Sequence, residues 1–309
     1  MAGLFWSFSH RPYVTLFLLA FLTLSWLEQG RLRTLIWLVT GYLVALGAEY
    51  LSINHGVPFG YYVYHYDVLE NDLLVAGVPF FDSLSFAFLS YVSFSFAQHF
   101  LAPLHGHGLN VQRVATRRIR NSSSVLFLGA CLMVVIDLIV DPVAHHGRHW
   151  FLGDIYHYPV PGNHFDVPLA NYAGWFVVGW LTILLNQRID GWLSGRDYRA
   201  GRQLRLLHVP AKGLFAPLFW AGIVIFQLGV TAWLGWGYDL AGVDGDAAYR
   251  AAWQKGLRTQ FLCGCFVVGP ILLLAALQLA RQGREPTKDL LETWQDENPG
   301  ATGPKPKAT

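Results

Sequence analysis

The stretch VIDLIVDPVAHHGRHW, residues 135–150, closes an apolar run that begins near Val125 and sets Asp137 and Asp141 four residues apart. That spacing puts both carboxyls on one face of a helix. The run itself suits lipid, so the two acids need a polar interior to face. The rest of the chain fits the same solvent. Of 309 residues, 53% are hydrophobic and only 14% charged, and the mean hydropathy is +0.34. This composition excludes an ordinary soluble domain and reads as a polytopic membrane protein.

A span needs about 20 apolar residues to cross about 30 Å of hydrocarbon. Seven runs qualify, near 13–27, 35–53, 80–101, 125–141, 170–186, 214–236 and 261–280. The expected fold is therefore an all-α integral membrane protein, a bundle of about seven transmembrane helices over residues 1–280 with aromatic-rich outer loops. The first run lacks a small-residue cleavage site and reads as a retained helix, not a signal peptide. From Arg281 to Thr309 the chain is rich in Pro, Gly and charge, which predicts a disordered tail.

Short basic loops stay cytoplasmic. Distributed over alternate sides of seven spans, the 22 Lys and Arg residues divide 17 to 5. The division places the N-terminus outside and the C-terminus in the cytoplasm of a multi-pass, bacterial-type cell membrane. The basic 113–120 and 188–212 segments read as topology signals and anionic-lipid contacts, not as a nucleic-acid site. Cys131, Cys263 and Cys265 all fall in apolar runs without CxxC spacing and read as small core residues.

Glu49 sits near the outer end of the second run, at a depth similar to that of Asp137 and Asp141, so three carboxyls converge if their helices are neighbours. Such acids ordinarily face the bundle interior and serve a site. A bland reading stays open: Asp141 caps a turn before Pro142, Asp137 pairs with an interior Tyr or His, and Glu49 snorkels. The loops beyond the acids, INHGVPFGYYVYHYDVL (53–69) and HHGRHWFLGDIYHYPVPGNHFDVPLANYAGW (145–175), are dense in aromatic and turn residues. Both contain Tyr-His-Tyr, at 64–66 and 156–158, which suggests a weak repeat of acidic helix followed by aromatic loop. An interfacial aromatic belt accounts for the Trp and Tyr residues, but not for the Pro and Gly between them.

The series AEYLSINHGVPFGYYVY, GVPFFDSLSF, DLIVDPVAHHGRHW and VPLANYAGW resembles the membrane-embedded carotenoid hydratases, the CruF-like carotenoid biosynthesis proteins, over about residues 35–185. Two positions depart from it: Asp166 where a Gly is expected before Val-Pro, and the His145-His146-x-x-His149 cluster. The resemblance implies addition of water to the terminal double bond of an acyclic carotenoid end group, on lycopene, γ-carotene or a C50 precursor. It implies no cofactor and no metal, with membrane lipid and other carotenoid biosynthesis enzymes as the partners to expect and no nucleic acid among them.

Hydration requires a proton on the less substituted carbon, a tertiary cation, and a water whose proton a base removes. Glu49, Asp137 and Asp141 are the catalytic candidates. Asp137, one turn deeper than Asp141, is expected to be the acid beside the alkene, with Asp141 setting its proton affinity. Phe59, Tyr61, Tyr64, Trp150, Asn171 and Trp175 are the candidates for holding the substrate, its cation and the water.

Two rivals stay open. A di-iron hydroxylase or desaturase needs several His boxes, for which His145–His149 and the His105-Gly-His107 string would have to serve. A non-catalytic carotenoid-binding or transport protein would bind pigment without altering its mass. A rhodopsin is excluded because the last run has no lysine for a Schiff base. Reporter fusions at Thr309 and within residues 155–165 are expected to report cytoplasmic and external locations respectively. A cytoplasmic signal from the 155–165 fusion overturns the orientation.

Overall fold

The computed structural model describes residues 2–107, 109–199, 209–280 and 286–298. Nine helices occur among them: α1 (Ala2–His10), α2 (Pro12–His55), α3 (Phe80–Leu101), the single turn α4 (Arg117–Arg120), α5 (Ser123–Ala144), α6 (Leu169–Arg199), α7 (Lys212–Ala232), α8 (Ala247–Ala280) and α9 (Lys288–Glu297). Six of them are long and apolar enough to cross a membrane. The strands are short: β1 (Val63–Tyr64), β2 (Leu74–Val75), β3 (Val78–Pro79), β4 (Leu104–His107), β5 (Asn110–Arg113) and β6 (Tyr156–His157).

Six long helices and seven expected spans are reconciled by Gly30, whose φ of 80° and ψ of 168° break α2. Packing against α3 shows that the chain reverses there. Along the first arm, Arg11 lies over Phe81, Phe17 meets Phe88 and Phe21 meets Tyr91. Along the second, Trp37 meets Tyr91, Tyr42 meets Phe80 and Glu49 meets Ser83. The arms thus run antiparallel, matching the runs near 13–27 and 35–53. Ser25 and Thr34 join across the turn at 2.9 Å. A left-handed φ costs Gly little and any residue with a Cβ more.

Helix α3 is buried on nearly every side, the mark of a central helix. Both arms of α2 pack on it, as do α5, α6, α7 and α8. Large apolar residues on the outer helices, among them Leu16, Leu43, Phe127, Ile225 and Phe266, stay exposed, as a lipid-facing surface requires. Gly174 brings α6 onto the loop after α2 so closely that a Cβ there would stand 2.9 Å from the Phe59 backbone.

The two ends of the bundle differ. At one, Arg113 pairs with Glu28 at 2.8 Å, and Arg33 and Arg120 both pair with Asp190. At the other, the loops after α2 and after α5 fold over the helix ends. The two Tyr-His-Tyr strings meet there as the antiparallel pair β1–β6, with Tyr64 opposite Tyr156 and Val63 opposite His157. That register relates equivalent positions by a local twofold, as a repeat would. Strands β2 and β3 form a hairpin through Ala76 and Gly77, both at positive φ. Asp166, standing where a Gly was expected, has a φ of 69°: the backbone keeps the left-handed conformation, which Asp tolerates better than most residues.

The expected disordered tail is corrected in part. Residues 288–297 form α9, with Trp294 buried and Glu297 accepting a hydrogen bond from the Arg117 N–H at 2.6 Å. The tail is polar on average, but Leu290, Leu291 and Trp294 recur at helical spacing, enough to seat one amphipathic turn on the bundle. Residues 281–285 and 299–309 lie outside the described residues.

Arg11 is the clamp at the carboxyl-rich end. It makes a bidentate pair with buried Asp72, at 2.7 and 3.1 Å, and Asp72 also accepts from the Ser7 hydroxyl at 2.6 Å. Arg11→Met strands a buried carboxylate and is expected to cost about 3–5 kcal/mol. Thermal unfolding in detergent checks this, and a melting temperature equal to that of the parent would show the pair to be dispensable.

Candidate active site

Between both arms of α2, α3, α5, α6 and α7, under the paired loops, lies a cavity of about 130 Å³. Glu49, Asp82 and Asp141 reach it from three helices. Phe59, Tyr62, Phe86, Trp150, Tyr156, Tyr158, Asn171 and Trp175 supply most of its polar and aromatic wall.

The expected convergence of Glu49 with the α5 acids is present in the fold, but its details differ from the sequence reading. Asp137 is 0% exposed and does not border the cavity. It stands one turn deeper than Asp141, where the packing of α6 places Asn171 across its path. The Asn171 amide nitrogen donates to Asp137 Oδ2 at 2.7 Å and to Asp141 Oδ2 at 2.8 Å. The other Asp137 oxygen, Oδ1, is buried without a partner among the described residues. Depth, which favoured Asp137 as the group beside the alkene, sets it behind Asn171 and off the cavity wall.

Asp141 is held from the loop. The Tyr158 hydroxyl donates to Oδ2 at 2.9 Å, and the Tyr156 hydroxyl donates to Oδ1. Glu49 accepts from the Ser83 hydroxyl at 2.7 Å. The fourth carboxyl, Asp82, escaped the sequence reading because an acid in the first turn of a helix is ordinarily explained by the helix dipole. Its depth, three residues beyond Pro79 and opposite Glu49, was the available signal. Asp82 accepts from the Tyr64 hydroxyl at 2.7 Å. None of the four carboxyls forms an ion pair among the described residues.

Among the substrate candidates, Phe59, Trp150, Asn171 and Trp175 border the cavity. Phe86 joins two of them, 5.6 Å from Phe59 and 4.5 Å from Trp175 between ring centroids. Tyr64 stands behind the wall as the donor to Asp82. Tyr61 does not border the cavity and is 53% exposed, whereas Tyr62 just before β1 and Tyr64 within it are buried. Tyr62, Tyr156 and Tyr158 were not singled out from the sequence, although two of them lie in the second Tyr-His-Tyr string. Burial pushes the phenols of Tyr62, Tyr64, Tyr156 and Tyr158 well above their ordinary range, with nearby carboxyls adding to the rise, so all four remain O–H donors.

A second, outer cavity of about 380 Å³ is bordered by His145, His146, His149, His157, Arg148, Asp154 and Asp166. Tyr158 belongs to both cavities. The His145–His149 string is spread over separate partners. His146 Nδ1 accepts from the Trp253 indole at 3.2 Å, His149 Nδ1 lies 3.1 Å from the Tyr238 hydroxyl, and the His145 ring leans on Tyr156 and Tyr158. His105 and His107 are in β4 at the other end of the bundle. The two histidine strings of the di-iron reading therefore do not meet, and no group of three or more His, Cys, Asp or Glu placed to hold a metal occurs among the described residues.

With this geometry in hand, comparison with known proteins is informative. Residues 10–240 match the model of a family described as carotenoid biosynthesis protein. Over 198 residues the chain is 29% identical to bisanhydrobacterioruberin hydratase of Haloarcula japonica, covering 63% of this chain and 56% of that protein. The match thus spans little more than half the length of that relative. No solved structure matches the chain significantly.

Burial and the neighbouring His145 and His149 push His146 down to about 4. Unfolded, the same imidazole titrates near 6.5, so between these values the unfolded chain binds the extra proton and acid favours unfolding. Stability is expected to fall by about 3 kcal/mol as pH drops from about 6.5 to about 4, and His146→Asn is expected to flatten that slope. Unfolding free energies measured across this range check the sign, and a parent no less stable at pH 4 than at pH 7 contradicts it.

Proposed function

The chain belongs to the family of carotenoid biosynthesis proteins, and from that premise we propose that its carboxyl cavity adds water to the terminal double bond of an acyclic carotenoid end group, giving a tertiary alcohol. The observation that carries the reading is three carboxyls, without cationic partners, facing one aromatic-walled cavity in a membrane bundle. The hydratase name of the haloarchaeal relative supports it.

Size supports the placement of the substrate. A cavity of about 150 Å³ accommodates benzene, so 130 Å³ suits one branched end group of about six carbons and leaves the polyene outside. The chain of double bonds leaves past Tyr13, Phe17 and Phe226, whose half-buried rings fill the seam between the first arm of α2 and α7.

Hydrogen bonding separates the roles. Both oxygens of Asp141 accept bonds, from Tyr156, Tyr158 and Asn171, which suits the base. Glu49 accepts from Ser83 through Oε2, leaving Oε1 to carry a proton, which suits the acid. Glu49 delivers its proton to the less substituted carbon, and the positive charge forms on the neighbouring tertiary carbon. The ring faces of Phe86 and Trp175 stabilise that cation. Water attacks it and gives up a proton to Asp141; return of one proton from Asp141 to Glu49 restores both acids, so the net change is one water added. Asp137 acts through Asn171 as a positioning residue. Water and protons arrive through the outer cavity, with Tyr158 as the shared wall. In this reading the N-terminus and the paired loops face outward, and the basic end faces the cytoplasm.

Expression in a host that makes acyclic carotenoids, followed by mass spectrometry, is expected to show a gain of about 18 Da per reacted end, one water each, with the oxygen drawn from labelled water. Oxygen taken from O₂ would point to an oxygenase, and pigment retained at unchanged mass to a binding or transport protein. Glu49→Gln and Asp141→Asn are each expected to lower hydration about 10²–10⁴-fold, and Asp137→Asn less. Parental rates in Glu49→Gln at normal membrane levels remove Glu49 from the acid's role.

A further inference from the structure

Helix α7 is apolar along most of its length, yet it carries Gln227 at a position that borders the carboxyl cavity. The residue is 4% exposed, and its Oε1 is buried without a hydrogen-bond partner among the described residues. A buried amide oxygen left unpaired costs about 1–3 kcal/mol, so such a group in a spanning helix marks a place where something else supplies the bond. The Gln227 backbone carbonyl, by contrast, accepts from the Thr231 hydroxyl at 2.9 Å. Among the described residues the side chain forms no hydrogen bond to a neighbouring helix, the usual structural use of an amide in a membrane bundle. Ile223, one turn earlier on α7, borders the same cavity, so this face of the helix forms a continuous wall toward the acids.

We propose that Gln227 is the hydroxyl subsite of the cavity: its carboxamide binds the attacking water and afterwards the tertiary hydroxyl of the product. The inference rests on the hydration reading given above. A water that donates one hydrogen to Asp141 and the other to Gln227 Oε1 presents a lone pair to the cationic carbon. No bond to Gln227 is made or broken, and the proton released on attack goes to Asp141. After reaction the product hydroxyl keeps one hydrogen and donates it to the same amide oxygen. The hydrocarbon end group has nothing to offer that oxygen, so the subsite distinguishes product from substrate by one hydrogen bond.

The test uses the full-length protein purified in detergent and two probes, an acyclic carotenoid with unmodified ends and its tertiary-alcohol derivative. Gln227→Leu keeps the volume and removes the bond. It is expected to bind the hydrocarbon as the parent does, to bind the alcohol about tenfold more weakly, and to hydrate more slowly. Gln227→Glu, which retains an acceptor at the same reach, is expected to recover alcohol binding in part. Gln227→Met serves if the leucine variant does not accumulate. Equal loss of both pigments would mean a packing role and overturn the proposal, as would unchanged affinity for the alcohol. The binding comparison needs no turnover, so a parent that binds both pigments but adds no water would overturn the hydration reading separately.

Discussion

A carboxyl group set in hydrocarbon is tolerable only where protein groups replace the water it has lost. The outer architecture of this bundle is arranged around that requirement. Asp141 draws on two tyrosines from the loop after α5 and one asparagine from α6. Asp82 draws on a tyrosine from the loop after α2, and Glu49 on a serine of α3. Each acid is thus satisfied by an element other than its own helix, and the acids hold those elements together as much as they are held by them. The β1–β6 pairing follows from the same need, since it fixes the two tyrosine-bearing loops to each other above the acids.

What positions the acids is the central helix and the close contacts around it. Gly30 turns α2 back on itself so that both arms lie on α3, and this brings Arg11 and Glu49, 38 residues apart in sequence, to the same end of the bundle. Gly174 lets α6 approach the Phe59 loop at backbone distance, which seats Phe59 and Trp175 in one wall with Asn171 a turn away. The same asparagine then bridges Asp137 and Asp141, so the geometry of the cavity depends on the packing of α6 against α5.

The ends of the bundle use charge in opposite ways. At the basic end, Glu28 and Asp190 are matched with arginines, and such buried pairs lock helices in register. At the other end, Arg11 is committed to Asp72, and the cavity acids have hydroxyl and amide donors instead. Neutral donors leave carboxyls free to exchange protons, whereas a guanidinium would hold them charged. The division separates an end of the bundle locked by ion pairs from an end whose carboxyls meet only hydroxyl and amide donors.

The sequence by itself determined the solvent and the seven apolar runs, and it set Glu49 at a depth similar to that of the α5 acids, because span length and the cost of a buried charge are local properties of the chain. It also determined that the aromatic loops are more than a belt, since Pro and Gly fix turns wherever they stand. Only the tertiary structure decided which carboxyls border the cavity. Helical spacing puts Asp137 and Asp141 on one face but is blind to Asn171, contributed by another helix, which separates them. The pairing that fixes the loop beside the acids sets Tyr64 opposite Tyr156, 92 residues away in sequence. Asp82 and Gln227 are ordinary residues in the sequence, a first-turn acid and a lone amide in an apolar helix, and they border one cavity only because neighbouring helices leave it beside them.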